Sequence, residues 1–356
     1  MSEPIERMAR VADTVCAWQL RTQRFWSWSW GPALFGAAAL DLENAGGVDH
    51  DRYLPWAKAW VDHHLARNPV ADQSDRVAPG LVTSVLYARK QVTRYRDVTE
   101  MIAAYVRSEP RVGDHVTNHL GGSMIGRLYP QSVWVDSLMM FGVFAARWGR
   151  MTDDRELLRI AAAQPAAYAA VLQHETGLWH HSWWRRGRRP VPEGVFWGRG
   201  NGWVIAALPL IMEELMAAGG FDQEVETIAH ILRRTSDALA PLQRSDGWFG
   251  TLLDEPRRAE ASVTSLVAAG WLHGVTLGVL DPSHREPALR AMRAVDATIQ
   301  WRVGPDGMRQ WSLPGISGPT IPVPGVGRQA YQVVPMGRDH SHGLAAQMWA
   351  CLRATT

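Results

Sequence analysis

Apolar positions recur at helical period along most of the chain, and the strict alternation that marks strands is scarce. Six segments share one format: a turn of Gly, Pro or polar residues, then a run that is apolar on nearly every face and rich in small residues. They begin near Gly31, Gly80, Asp136, Gly202, Ser262 and His342. Between them, Asp51–Arg67, Tyr95–Ser108, Asp154–Gln173, Asp222–Leu239 and Arg285–Trp301 carry charges on one face and apolar residues on the other. Fully apolar helices alternating with amphipathic ones predict two concentric layers, the inner buried and the outer solvated on one side. The apolar starts are roughly 50 to 80 residues apart, too irregular for a solenoid with a strict repeat. The expected fold is therefore all-α, an (α/α)6 toroid forming a single domain over residues 1–356. Closure would bring the first and last helices together near Cys16 and Cys351. No Pro/Ser-rich linker divides the chain, and Pro314–Gly327 reads as a long loop over one face.

Composition narrows the function. The chain has 356 residues, 46% hydrophobic and 20% charged, with a formal charge of +2. That balance argues against a nucleic-acid partner held by phosphate contacts. No apolar run reaches the 18 or more residues of a membrane span, and Met1–Arg10 lacks the apolar stretch of a signal peptide. With two cysteines there is no disulfide framework, so a cytoplasmic location with reduced thiols is expected. The 18 tryptophans stand out against seven tyrosines and seven phenylalanines. Indoles need partners for their N–H groups, and aromatic platforms lining a cleft are one use for so many. The oligomeric state is not legible.

The most informative stretch is Trp197-Gly198-Arg199-Gly200-Asn201-Gly202-Trp203. Three glycines in five residues suit a loop at the mouth of the apolar run that follows. Trp beside Arg and Asn suits a sugar, with an indole face for its C–H groups and planar donors for hydroxyls or a carboxylate. The bland alternative is a tight turn with two core tryptophans. A dinucleotide loop is excluded, because Trp203 occupies the third glycine position and no β-type strand precedes it. Polar and aromatic residues recur at the other inner-helix starts: Trp28 and Trp30, Asp75, Trp134 and Asp136, Glu260 and Ser262, and Asp339, His340 and His342. Such a ring predicts a sugar-binding cleft with acid/base capacity. Asp136, beside Trp134 and heading an apolar helix, is expected to be desolvated, with a raised pKa suited to proton donation. The competing reading makes Asp136 a helix cap, and Asp75 a cap or a partner of Arg76. The pairs His63-His64, His180-His181 and His340-x-His342 lack the spacing of a zinc hydrolase, so neither metal nor cofactor is expected. His181 lies in the aromatic stretch Gly177-Leu178-Trp179-His180-His181-Ser182-Trp183 and is a candidate ligand contact. Arg185-Arg186-Gly187-Arg188-Arg189 reads as a solvated loop unless the substrate is an acidic polymer. No serine-nucleophile elbow or phosphate loop is present, which leaves acid/base chemistry by carboxylates.

The motifs at 197–203, 134–140 and 177–183 occur together in an order that resembles the unsaturated rhamnogalacturonyl and glucuronyl hydrolases, glycoside hydrolase families 105 and 88. The resemblance runs from about Trp28 to Leu352 and implies the same toroid. It also implies a reaction unlike ordinary two-carboxylate glycosidases. An aspartate protonates C4 of a C4=C5 double bond, water adds at C5, and the hemiketal opens to release the remaining chain. Carried over by motif, Asp136 is the acid/base, and Trp134 and Trp203 stack on the sugar. His181, Arg199 and Asn201 contact its polar groups, Asp75 helps hold the ring and water, and Trp30 supplies a further aromatic contact. The substrate is then a small molecule or oligosaccharide. One departure is notable. Where the family carries a histidine and a basic residue near the substrate carboxylate, this chain has Ile125 and Gly126, with Arg127 or His119 as possible replacements. The competing function is a cyclase, lyase or isomerase that keeps Asp136 and protonates an alkene or enol ether in a small metabolite.

Overall fold

Six helices buried on nearly every side form a closed ring in the computed structural model, which describes residues 2–109, 111–113, 115–304, 307–323 and 325–355. The inner helices are α2 (Trp30–Asn44), α4 (Gly80–Lys90), α6 (Val143–Thr152), α8 (Gly198–Ala218), α10 (Ala261–Thr276) and α13 (Ser341–Arg353). Each packs on the next, and α13 returns to α2 to close the circle. Outside them lie α1 (Glu3–Thr22), α3 (Leu54–Leu65), α5 (Thr93–Ser108), α7 (Arg155–Leu172), α9 (Asp222–Leu239) and α11 (Arg285–Asp296). A single turn, α12 (Gln329–Gln332), precedes α13. The toroid expected from the periodicity is thus present, with α1 against α13 at the closure. Both Cys16 and Cys351 are buried free thiols.

The differences from the sequence reading have local causes. The outer helix α11 stops at Asp296, and Trp301 lies instead in the strand Gln300–Val303, paired with Arg309–Ser312. Pro314–Ser317, read as loop, pairs with Met336–Arg338. The 21-residue α8 is long and apolar enough to cross a membrane, which the sequence reading denied, but its apolar faces are covered by α6, α9 and α10. The glycines of 198–202 are not loop residues: they form the first turns of α8. They are needed for proximity, not freedom. A Cβ at Gly198 would stand 2.4 Å from the Gly250 carbonyl oxygen, and one at Gly202 3.0 Å from the Leu266 Cβ on α10. Further along the same interface, Gly270 lets α10 approach to within 2.2 Å of where its own Cβ would meet the Ile205 carbonyl oxygen. Most tryptophans are packing groups too. Trp56 and Trp60 of α3 stack on each other, Trp28 stacks on Trp60, and Trp148 and Trp271 are fully buried.

Candidate active site

The inner helices begin at one end of the ring, and the segments just before them carry the polar side chains. A three-stranded antiparallel sheet builds the centre. Ser132–Trp134 pairs with Ser182–Trp184, which pairs with Arg189–Val191. The Val135 N–H donates to the His181 carbonyl at 2.9 Å, so Asp136 and His181 emerge side by side. The turn Ser74–Arg76 is stitched on by Ser74 N–H to the His119 carbonyl, 2.9 Å, and by Ser137 Oγ to Ser74 Oγ, 3.0 Å.

Asp136 stands just before the irregular turn Leu138–Gly142 that leads into α6. Its side chain is 12% exposed and bonds no backbone N–H of the turn, which removes the capping role. Oδ2 faces His181 Nε2 at 3.3 Å, and neither atom completes a hydrogen bond elsewhere. His181 Nδ1 is 2.9 Å from the Tyr331 hydroxyl. Burial pushes the Tyr331 phenol up, so it keeps its proton and donates to Nδ1, which leaves the Nε2–H facing the carboxylate. Burial also lowers the His181 pKa, against the pull of Asp136. The raised pKa expected for Asp136 is not found. Burial does push it upward, but the His181 contact and the fields of His181, His119 and Arg199 together hold it below the usual carboxylate value.

Trp134 joins the two halves of the site. His119 stacks on it with centroids 4.4 Å apart and planes 9° off parallel, while His181 meets it edge-on at 5.4 Å. His119 Nδ1 lies 2.9 Å from Ser137 Oγ, and Nε2 lies 3.4 Å from Asp75 Oδ1. Arg76 pairs with Asp72 at 2.8 Å, so the suggested Asp75–Arg76 pair does not form. Each carboxylate therefore has its own imidazole. Of the two candidates to replace the missing family residues, His119 is buried in the site and Arg127 is exposed outside it. Ile125 is 54% exposed, and a Cβ at Gly126 would stand 2.4 Å from the Leu120 carbonyl oxygen, so that turn admits only glycine.

The remaining expected contacts are reassigned. Asn201 is fully buried; its oxygen accepts from Trp179 N–H, and its amide donates to the Trp179 and Trp197 carbonyls. It clamps two segments together and has no donor left for a sugar. Trp203 is wholly buried and meets a ligand only through Trp30, which it buttresses edge-on at 5.9 Å. Half-buried Trp30 also lies 4.9 Å from His342 and walls a cavity of about 270 Å³ with Trp26, Pro319, Asp339 and His340. Arg199 is 1% exposed, and its guanidinium donates to Ser317 O and Oγ, Gly318 O and Thr320 Oγ1. Its carbon lies 4.7 Å from the Trp197 ring centroid, and Glu260 stands 4.0 Å away. Glu260 in turn caps α10 and accepts from Ser317 N–H at 2.9 Å. Sequence reasoning missed Tyr331, whose contact with His181 spans 150 positions. A larger cavity of about 570 Å³ at the opposite end is walled by Arg147, Arg150, Arg353, Asp41, Glu213 and Glu214, which pair among themselves, and Asp136 and Asp75 do not line it. Among the described residues no group of three His, Cys, Asp or Glu is placed to hold a metal ion.

With that geometry in hand, the Glycosyl Hydrolase Family 88 model matches residues 4–356. The chain belongs to that family. As a family 88 protein it is a glycoside hydrolase-like enzyme. It is 27% identical over 280 residues to the unsaturated rhamnogalacturonyl hydrolase YesR of Bacillus subtilis (strain 168), covering 75% of this chain and 78% of that protein. It is 30% identical over 196 residues to an unsaturated 3S-rhamnoglycuronyl hydrolase of Alteromonas sp. (strain LOR), 52% of this chain and 46% of that one. Its fold is shared with a possible GH105 member from Salmonella enterica, at a TM-score of 0.80, 23% identity and coverage of 92% and 82%. It is likewise shared with the unsaturated glucuronyl hydrolase of Bacillus sp. GL1, at a TM-score of 0.73, 15% identity and coverage of 98% and 96%.

Arg199→Ala tests the reassignment. Removing the guanidinium frees Ser317, Gly318 and Thr320 and leaves Glu260 buried without its cation, a loss on the order of 3–5 kcal/mol. Denaturant unfolding should show that loss. An unchanged midpoint with substrate binding abolished would return Arg199 to the ligand.

Proposed function

We propose that this enzyme hydrates the C4=C5 double bond of an unsaturated uronyl unit at the end of an oligosaccharide, with Asp136 as general acid and base. The observation that carries the reading is the Asp136 carboxylate held at 3.3 Å from a buried His181 beside Trp134, in a chain of this family. The names of the relatives, hydrolases of unsaturated rhamnogalacturonyl and rhamnoglycuronyl units, support the substrate class.

The steps follow from these groups. Protonated Asp136 gives its proton to C4, and the positive charge that develops at C5 is shared with the ring oxygen. Water adds at C5 and returns a proton to the Asp136 carboxylate. The C5 hemiketal opens to a ketone, and C1 expels the rest of the oligosaccharide as an alcohol, becoming an aldehyde. His181, fixed by Tyr331, keeps the Asp136 carboxylate in one orientation through both transfers. Asp75, held by His119, is assigned to the water and the ring hydroxyls. Trp134 and Trp30 supply faces for the ring. The pocket keeps an imidazole in His119 although the family's histidine position holds Ile125, and this supports a hydrolase over a cyclase, lyase or isomerase on the same scaffold.

The depressed pKa of Asp136 in the free protein has a role in this scheme. A substrate carboxylate arriving beside it is a like charge, which disfavours the ionised form and raises the pKa. Proton uptake is then coupled to binding. The pKa that governs kcat should lie above the one that governs kcat/KM, because the former belongs to the complex and the latter to the free enzyme. Coincident pH profiles would contradict the coupling.

Asp136→Asn keeps the shape but cannot deliver a proton. Turnover, followed as loss of the absorbance of the conjugated double bond, should fall about 10²–10⁴-fold while substrate still binds. A near-normal rate with a lowered melting temperature would make Asp136 structural.

A further inference from the structure

Tryptophan is seldom left in water, and among the described residues only two of the 18 tryptophans are exposed, Trp18 at 37% and Trp301 at 51%. Both stand at one corner outside the ring. Trp18 lies near the end of α1, and Trp301 lies in the hairpin of Gln300–Val303 and Arg309–Ser312. That hairpin packs on α1, where Trp311 N–H donates to Thr14 Oγ1 at 3.3 Å. Trp301 pairs directly with Trp311, so the two indoles leave the same face of the hairpin. Between hairpin and helix is a cavity of about 250 Å³, walled by Trp18, Gln19, Trp26, Arg302, Trp311 and Asp339.

Two donors of these wall residues lack acceptors among the described residues. Gln19 is fully buried, and its Oε1 accepts from Trp26 N–H at 3.1 Å, which orients the amide and leaves Nε2 without a partner. Arg302 Nε is buried and equally unpartnered. A buried donor left unpaired is costly, and a bound acceptor removes that cost. The carboxylate of the wall is already committed. Asp339 accepts from Leu313 N–H and from Ser312 Oγ, each at 2.8 Å, and the Arg302 guanidinium stands 3.9 Å away to balance its charge.

A ligand for this cavity must offer C–H faces to indoles, oxygen acceptors to two donors, and no net charge. A neutral pyranose does all three. We propose that this corner is a second, non-catalytic saccharide site. It holds one neutral pyranose unit against Trp18 and Trp311, with Gln19 Nε2 and Arg302 Nε donating to its oxygens. Exposed Trp301 is the platform for the next unit of the chain. Trp26 and Asp339 also wall the cavity beside Trp30, so the two cavities stand on either side of one partition. A polysaccharide fragment anchored here is kept near the catalytic mouth without occupying it.

The test uses the full-length protein, with saturation-transfer NMR to detect binding and calorimetry to measure it. Methyl β-D-glucopyranoside and methyl α-L-rhamnopyranoside are the ring probes. Sorbitol supplies hydroxyls without a ring face, and cyclohexanol a ring without the array of hydroxyls. One pyranoside or both should bind about tenfold tighter than either control. Trp18→Ala and Arg302→Gln should each weaken that binding about tenfold, while kcat and KM on an unsaturated disaccharide stay unchanged. Should Trp18→Ala fold poorly by circular dichroism, Arg302→Gln decides. Pyranosides that bind no better than sorbitol overturn the proposal, and so does cyclohexanol binding as tightly, which would make the corner a plain apolar pocket. Pyranoside binding that survives both substitutions places the sugar elsewhere, in the catalytic cleft, and also overturns it. The reaction is judged separately: Asp136→Asn should abolish turnover and leave pyranoside binding at this corner intact.

Discussion

A guanidinium and a carboxylate sealed from water must be satisfied by the chain around them, and Arg199 and Glu260 impose that demand at the top of α8 and α10. Burial lowers the Arg199 pKa, with Glu260 and Asp136 opposing, so the cost of holding its charge is met by four oxygen acceptors from residues 317–320. Those residues cannot meet it unless the C-terminal strap comes down over the ends of both helices. The strap is held again where Pro314–Ser317 pairs with Met336–Arg338, and where Arg258 donates to the carbonyls of Tyr331, Gln332 and Val334. Tyr331 is thereby placed on His181, and His181 on Asp136. The Asp136 carboxylate is positioned at the end of a series of obligations that begins with a buried ion pair.

The site differs in electrostatic design from one in which two carboxylates share a proton. Asp75 faces His119 and Asp136 faces His181, with the Trp134 indole against both rings. Contact with His181 helps hold the Asp136 pKa below the usual carboxylate value. Rigid sheet pairing, rather than loop flexibility, fixes the spacing, because Asp136 and His181 leave adjacent strands in register.

The inner ring was legible because those helices are apolar on all faces, a pattern few other elements produce. Its starts at Gly80, Asp222 on the outer layer and His342 fall within a residue of the observed helices. The outer helix α1 was expected only as a first helix near Cys16, without bounds, since charged residues alternate with its apolar stripe of Ile5, Met8, Val11 and Ala12. Asp136, Asp75, His181 and Trp134, singled out by motif and chemistry, lie together around one indole. Asn201, Arg199 and Trp203 lie in the same neighbourhood, buried, and the two polar side chains bond to the surrounding chain. A polar side chain in an aromatic motif looks the same whether it faces a sugar or the backbone, and only the observed bonds separate the two. The glycines of 198–202 misled for a related reason: glycine permits both unusual torsions and close approach, and here it serves the second. Tyr331 had no sequence signal, being one aromatic in an aperiodic strap.

The central claim is that the sugar is hydrated across C4=C5 rather than hydrolysed at the anomeric bond. Running the reaction in deuterium oxide enriched in oxygen-18 and reading the product by NMR and mass spectrometry tests it directly. The account predicts deuterium at C4 and oxygen-18 at C5, with the leaving sugar keeping its original glycosidic oxygen and the double bond gone. Label confined to C1, with the double bond intact and no deuterium at C4, would show ordinary glycosidic hydrolysis and contradict it.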